Sequence, residues 1–180
     1  MKTFKHTKDA FTLMELIIGM VLMGIIILAV FSFEIVSREI FRSSERKSIV
    51  SDEAAFVLDH IQKYVWDGEG GGANPDALSI IVGVDQILCV RNTTNWLGNY
   101  TFDFTNHQVV FKKGGVDYPL TQRLYNDAAN PFEIDVVGQD GGVRIRNFTL
   151  MYNPNENYNA RNNPMAVIKG IYFYPYGQKL

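Results

Sequence analysis

Residues 10–33 read AFTLMELIIGMVLMGIIILAVFSF, an apolar run that carries one charge, Glu15, a helical turn from its start. From Leu16 to Phe33 there is no charged residue and no proline. At about 1.5 Å per residue, a helix of this length crosses a hydrocarbon core of about 30 Å. A carboxylate inside such a helix costs about 2.5–3.5 kcal/mol on insertion scales, so Glu15 calls for a partner. The run follows a short polar stretch, Met1 to Ala10, with Lys2, Lys5 and Lys8 against Asp9. An ordinary secretory signal has a shorter apolar stretch and a small-residue cleavage motif behind it, and neither occurs here. Past the run, Arg38, Arg42, Arg46 and Lys47 alternate with Glu34, Glu39 and Glu45. With cations on both flanks, the charge rule leaves the orientation across a membrane open.

Outward from this run the helical pattern continues. Ile40, Val50, Ala54, Val57, Ile61 and Val65 recur at helical spacing, and no proline occurs before Pro75. One helix of more than fifty residues is predicted between Phe11 and Trp66, stopped by Asp67 and the glycines of DGEGGGANP. Beyond Pro75 the period changes to two. YTFDFT places Tyr100, Phe102 and Phe104 on one face, and the TNHQ turn leads into VVFKK, a hairpin. LSIIVGV and ILCV read as central strands, and FEIDVV turns Phe132, Ile134 and Val136 inward. In VRIRNFTLMY the parity shifts between Ile145 and Phe148, which predicts a bulge near Arg146 and Asn147. A polar loop, NPNENYNARNNP, precedes a last strand, AVIKGIYFYPY. The expected fold is α+β: a long transmembrane-to-amphipathic helix whose second half packs on an antiparallel sheet. The expected organisation is a leader at 1–10, a transmembrane helix at 11–33, an amphipathic stem at 34–66 and a β-rich region at 67–180.

The chain has 180 residues, 47% hydrophobic and 20% charged, enough apolar material for a core and too much for wholesale disorder. A formal charge of -2 provides no electrostatic footprint for nucleic acid. The single cysteine, Cys89 in ILCV, cannot form an internal disulfide and reads as a small buried residue.

The stretch DAFTLMELIIGMVLMGIIILAV resembles the amino terminus of type IV pilins and type II secretion pseudopilins. In that family a short basic leader precedes a Phe-Thr-Leu-x-Glu-Leu motif. The likeness covers the first third of the chain. The strand-rich remainder is similar in layout, most like the larger minor pseudopilins of the J type and their minor-pilin counterparts. The resemblance implies cleavage by prepilin peptidase between Ala10 and Phe11, N-methylation of Phe11, and a subunit-assembly role for Glu15. Alanine stands where the family usually has glycine before the cut, and the proline of many major pilins is missing from AVFSF. The implied partners are other pilins or pseudopilins, prepilin peptidase, an inner-membrane assembly platform with its ATPase, and the lipid bilayer. The implied location is the bacterial inner membrane, crossed once, with the globular region extracytoplasmic and the filament in the periplasm or on the cell surface. Removing the leader, three lysines and one acid, takes the formal charge from -2 to -4, so no direct nucleic-acid partner is expected.

Cleavage creates an amine at Phe11, which Glu15 of a neighbouring subunit can meet, setting the register between helices. The tip-initiating K type commonly lacks this acid, so its presence implies a neighbour above. The rival reading is a membrane-anchored extracytoplasmic binding domain or enzyme with an uncleaved helix. Catalysis has little support: His6 lies in the leader, and neither His60 nor His107 adjoins a motif for nucleophilic or zinc chemistry. No cofactor is expected. GQDGG, with Asp140, offers too few oxygens for a calcium site, and the Asn-x-Thr triplets at Asn92, Asn99 and Asn147 read as chance. Gly19 and Gly24 lack the small-xxx-small spacing. The charges from Glu34 to Lys47 suit a solvated stem and a filament surface equally. Tyr172, Tyr174 and Tyr176 read first as core or edge packing, second as a contact face.

Overall fold

Helix α1 runs from Leu13 to Trp66, 54 residues without a break, as its proline-free sequence predicts. The structure, a computed structural model, describes residues 12–67, 78–82, 86–91, 96–137 and 142–174. The chain divides into two compact units, one ending at Arg42 and the other beginning at Ser43. In the first unit every described side chain is exposed to some degree, from Leu13 through Phe41, with Ser37 the most covered. Ser32 satisfies its hydroxyl locally by donating to the Leu28 carbonyl at 2.9 Å.

In the second unit α1 contributes Val50, Ala54, Val57, Ile61 and Val65 to the core, all buried. Each buried valine or isoleucine is worth roughly 1.5–3 kcal/mol. Ile40, on the same sequence period, is 59% exposed. Periodicity selects a helix face, and only a covering partner buries it.

The strands are β1 (Leu78–Val82), β2 (Gln86–Arg91), β3 (Trp96–Asp103), β4 (Gln108–Lys113) and β5 (Val116–Thr121). They form an antiparallel meander in the order β1-β2-β3-β4-β5. Tyr100 stands opposite Leu88 and Phe111, so the period-two faces of β2, β3 and β4 stack inward together. Leu88, Cys89 and Val90 are all buried, so β2 is covered on both faces. The expectation that LSIIVGV is central is corrected: β1 ends the sheet order. Its apolar run does not distinguish a central strand from an edge strand.

The other strands are β6 (Leu124–Tyr125), β7 (Glu133–Val137), β8 (Gly142–Arg146), β9 (Phe148–Met151), β10 (Met165–Ile168) and β11 (Ile171–Phe173). They build two antiparallel sheets, β10-β9-β6 and β11-β8-β7. The expected bulge in VRIRNFTLMY is instead a change of sheet. Asn147 takes φ 55° and its Nδ2 donates to the Pro131 carbonyl at 3.1 Å. Opposite it the expected last strand also divides, at Gly170 with φ 66°. Ile145 pairs with Ile171 before the break and Phe148 with Ile168 after it. Asparagine and glycine are the residues that visit the left-handed region most cheaply, so both strands turn at one level. Phe132 and Ile134 point inward as expected; the GEGGGANP stop, the side chain of Val136, Asp140 and Tyr176 lie outside the description.

Candidate functional site at the start of the long helix

Glu15 is the third residue of α1, and Thr12 is the residue that caps it. The Thr12 backbone N–H and its hydroxyl both donate to Glu15 Oε2, each at 2.9 Å. In return the Glu15 N–H approaches Thr12 Oγ1 at 3.3 Å. This reciprocal pair is a capping box, which satisfies donors that a helix start leaves orphaned. An acid in the first turn also suits the positive end of the helix dipole. Glu15 therefore has a partner within its own chain, which the sequence reading did not name. The signal was present as Thr-x-x-Glu directly before an apolar run. Among the described residues Oε1 accepts no hydrogen bond. Ala10 and Phe11, the expected cleavage and methylation positions, lie outside the described residues.

Along the same helix Leu16, Gly19, Met20, Met23, Gly24 and Ile27 line a shallow apolar groove. A Cβ added at Gly19 or Gly24 meets nothing within 4 Å, so the glycines leave that face open. The helix is long and apolar enough to cross a membrane.

Elsewhere the polar groups serve the fold. His60 Nδ1 lies 2.9 Å from Tyr100 Oη, and the Tyr100 hydroxyl donates to the His60 carbonyl at 3.0 Å. Since that hydroxyl has one proton, the imidazole donates through Nδ1. The rings of Tyr64 and Phe111 stand 4.9 Å from His60. Burial, then Lys63, hold the imidazole below its ordinary pKa, with Asp59 opposing. Burial pushes the Tyr100 phenol upward. His107 occupies the β3–β4 turn at φ 58°, with Nδ1 3.1 Å from the Leu124 carbonyl. Its neighbour Asp103 closes that turn by accepting the Thr105 and Asn106 N–H groups at 3.0 and 2.8 Å.

A polar cleft of about 540 Å³ is lined by Glu53, Thr121, Arg123, Tyr152 and Asn153 among others. Its charges answer one another. Arg123 Nε donates to Glu53 Oε1 at 2.8 Å, and Thr121 Oγ1 donates to Glu53 Oε2 at 2.8 Å. Arg123 Nη1 also donates to the Tyr152 carbonyl, with the guanidinium 4.8 Å from that ring's centre. The cleft is thus a clamp between α1 and the β6–β9 region. Among the described residues, no group of three or more His, Cys, Asp or Glu is placed to hold a metal.

Tyr172 on β11, which ends its sheet, and Tyr174 just past that strand are exposed, while Phe173 between them is buried. Core packing is therefore excluded for these two, which leaves edge packing and a contact face. Across the sheet Tyr172 faces Arg144, which pairs with Asp135. That guanidinium lowers the Asp135 carboxyl pKa.

Residues 5–31 match the family model of the prokaryotic N-terminal methylation motif. The match supports a place among the type IV pilins and pseudopilins, structural proteins processed by prepilin peptidase, and it coincides with the capped, exposed apolar helix. No curated protein and no solved structure matches the chain.

Proposed function

We propose that this protein is a minor pilin or pseudopilin subunit, cut between Ala10 and Phe11, methylated at Phe11, and assembled into a filament through α1. The observation that carries the reading is the methylation motif over residues 5–31 on an uncovered apolar helix with an acid in its first turn. The new amine at Phe11 and a neighbour's Glu15 supply opposite charges. At 4 Å and an effective dielectric near 20 these attract by about 4 kcal/mol. The cap occupies Oε2 and leaves Oε1 for that amine. A platform and ATPase of the kind that serves this family supply the work of extraction from the membrane. The J-type layout suggests a subunit of low abundance near the filament tip.

The test is the intact mass of membrane-extracted protein, with and without co-expressed prepilin peptidase. Loss of Met1 to Ala10 plus one methyl group is the expected result. An unshortened chain under both conditions overturns it. A second reading, an anchored domain with an uncleaved helix, is favoured by the cap itself, which gives Glu15 Oε2 two donors without any neighbour. That reading requires normal behaviour of Glu15→Ala, whereas the filament reading requires a variant that inserts in the membrane and fails to assemble.

A further inference from the structure

Just past its apolar run α1 carries Arg38, Arg42 and Arg46 at four-residue intervals, one stripe on the helix surface. Their environments differ. Arg46 is engaged, donating to the Asn162 carbonyl at 2.7 Å and standing 5.3 Å from the centre of the Tyr152 ring. Arg38 pairs with Glu34 while its side chain stays 71% exposed. Arg42 is exposed and makes no hydrogen bond or ion pair among the described residues. The Arg38–Glu34 bond reaches back one turn, so that side chain runs toward the apolar segment, the direction helix geometry favours.

Leu13 to Phe33 spans about 30 Å at about 1.5 Å per residue, which matches the hydrocarbon thickness of a bilayer. Arg38 and Arg42 follow at heights of about 8 and about 14 Å beyond it. The headgroup layer occupies about 5–8 Å on each side. Side chains running back toward the apolar segment bring both guanidinium groups to that layer. We propose that Arg38 and Arg42 bind the phosphate of an anionic phospholipid where α1 leaves the bilayer. A guanidinium matches a phosphate with two parallel hydrogen bonds, and Arg42 has its donors available. The exposed pair with Glu34 is of the weak kind that a headgroup phosphate can displace. Phosphatidylcholine presents the same phosphate beside its own choline cation, so the fork seats the phosphate and charge selects the anionic lipid. Glu34, Glu39 and Glu45 offset three of the four cations between Arg38 and Lys47, leaving the effect of about one. The inference rests on residues 13–33 crossing a bilayer and holds for either orientation.

The test is native mass spectrometry of the full-length chain in detergent with equal amounts of phosphatidylglycerol and phosphatidylcholine. Wild type is expected to retain phosphatidylglycerol about fivefold over phosphatidylcholine, the contribution of one juxtamembrane cation. Arg38→Gln/Arg42→Gln falls to parity with unchanged circular dichroism, and Arg38→Lys/Arg42→Lys retains only part of the preference. Equal retention of both lipids by wild type overturns the proposal, as does an unchanged preference in the glutamine variant, which assigns it to other cations such as Lys47 or the leader lysines. Loss of the preference on adding inorganic phosphate also overturns it, in favour of a free-anion site. The same spectra report the intact mass, so failure here is distinguishable from failure of the processing reading.

Discussion

Thr12 and Glu15 separate two properties of one carboxylate, hydrogen-bond acceptance and charge. Thr12→Val removes the capping hydroxyl, worth about 1 kcal/mol. First-turn amide exchange in micelles is then expected to accelerate about fivefold, and an unchanged rate contradicts the cap. Glu15→Gln keeps an acceptor for Thr12 and loses the charge. It should leave that exchange rate intact yet enter filaments poorly; normal incorporation means the cap is all that Glu15 does. His60 gives a pH prediction. Its pKa is held below the ordinary 6.5 by burial and Lys63. As pH falls below 6.5 the unfolded chain takes up a proton that the folded chain resists. Stability present at neutral pH is therefore lost as pH falls through the folded value. Thermal scans should show a lower midpoint at pH 5.5 than at 7.5, and His60→Gln should shrink the difference. The Thr-x-x-Glu spacing made the cap legible in sequence. The His60 environment was not legible, because Tyr100 and Phe111 reach it from strands far along the chain.

At the scale of elements, two glycines with similar crowding should respond differently to alanine. A Cβ on Gly98 stands 2.9 Å from the Lys112 carbonyl and inside the contact distance of the buried Phe111 ring. Neither neighbour can move without disturbing the β3–β4 register. Gly98→Ala is expected to cost about 1–3 kcal/mol. On Gly142 the nearest atoms belong to the Tyr174 ring, 2.8 Å away, and that ring is exposed and can swing aside. The Phe173 carbonyl, at 3.3 Å, need give by only a few tenths of an ångström, so Gly142→Ala should cost less than about 1 kcal/mol. Chemical denaturation followed by circular dichroism measures both, and equal losses contradict the distinction. Helix length and the β3–β4 hairpin followed directly from local pattern: an unbroken helical period, then alternation around a polar turn. The exchange of sheets at Asn147 did not, since a parity shift looks the same for a bulge as for a strand that changes partners. The Asn-rich loop was equally opaque. Asn163 is buried, and its amide donates to the Asn153 carbonyl at 2.8 Å while accepting the Asn153 N–H at 2.7 Å. Its polar letters are an internal scaffold as much as a solvated surface.

For the whole molecule, every buried hydrophobic side chain among the described residues lies at or beyond Val50. A chain beginning at Ser43 keeps all of them, and it is expected to fold alone with one cooperative thermal transition. A broad, non-cooperative melt would show that residues before Ser43 contribute to that core. The sequence by itself determined the unbroken helix, its apolar first part, the Glu15 motif and the inward faces of the strands. These depend on composition and on periods of 3.6 and 2, which are local properties of a chain. The tertiary structure alone decided that α1 is buried from Val50 and not from Ile40, that β1 stands at a sheet edge, and that Tyr172 and Tyr174 face outward. Burial and strand order depend on which distant segment covers a face, and residues far apart in sequence carry no local mark of that choice.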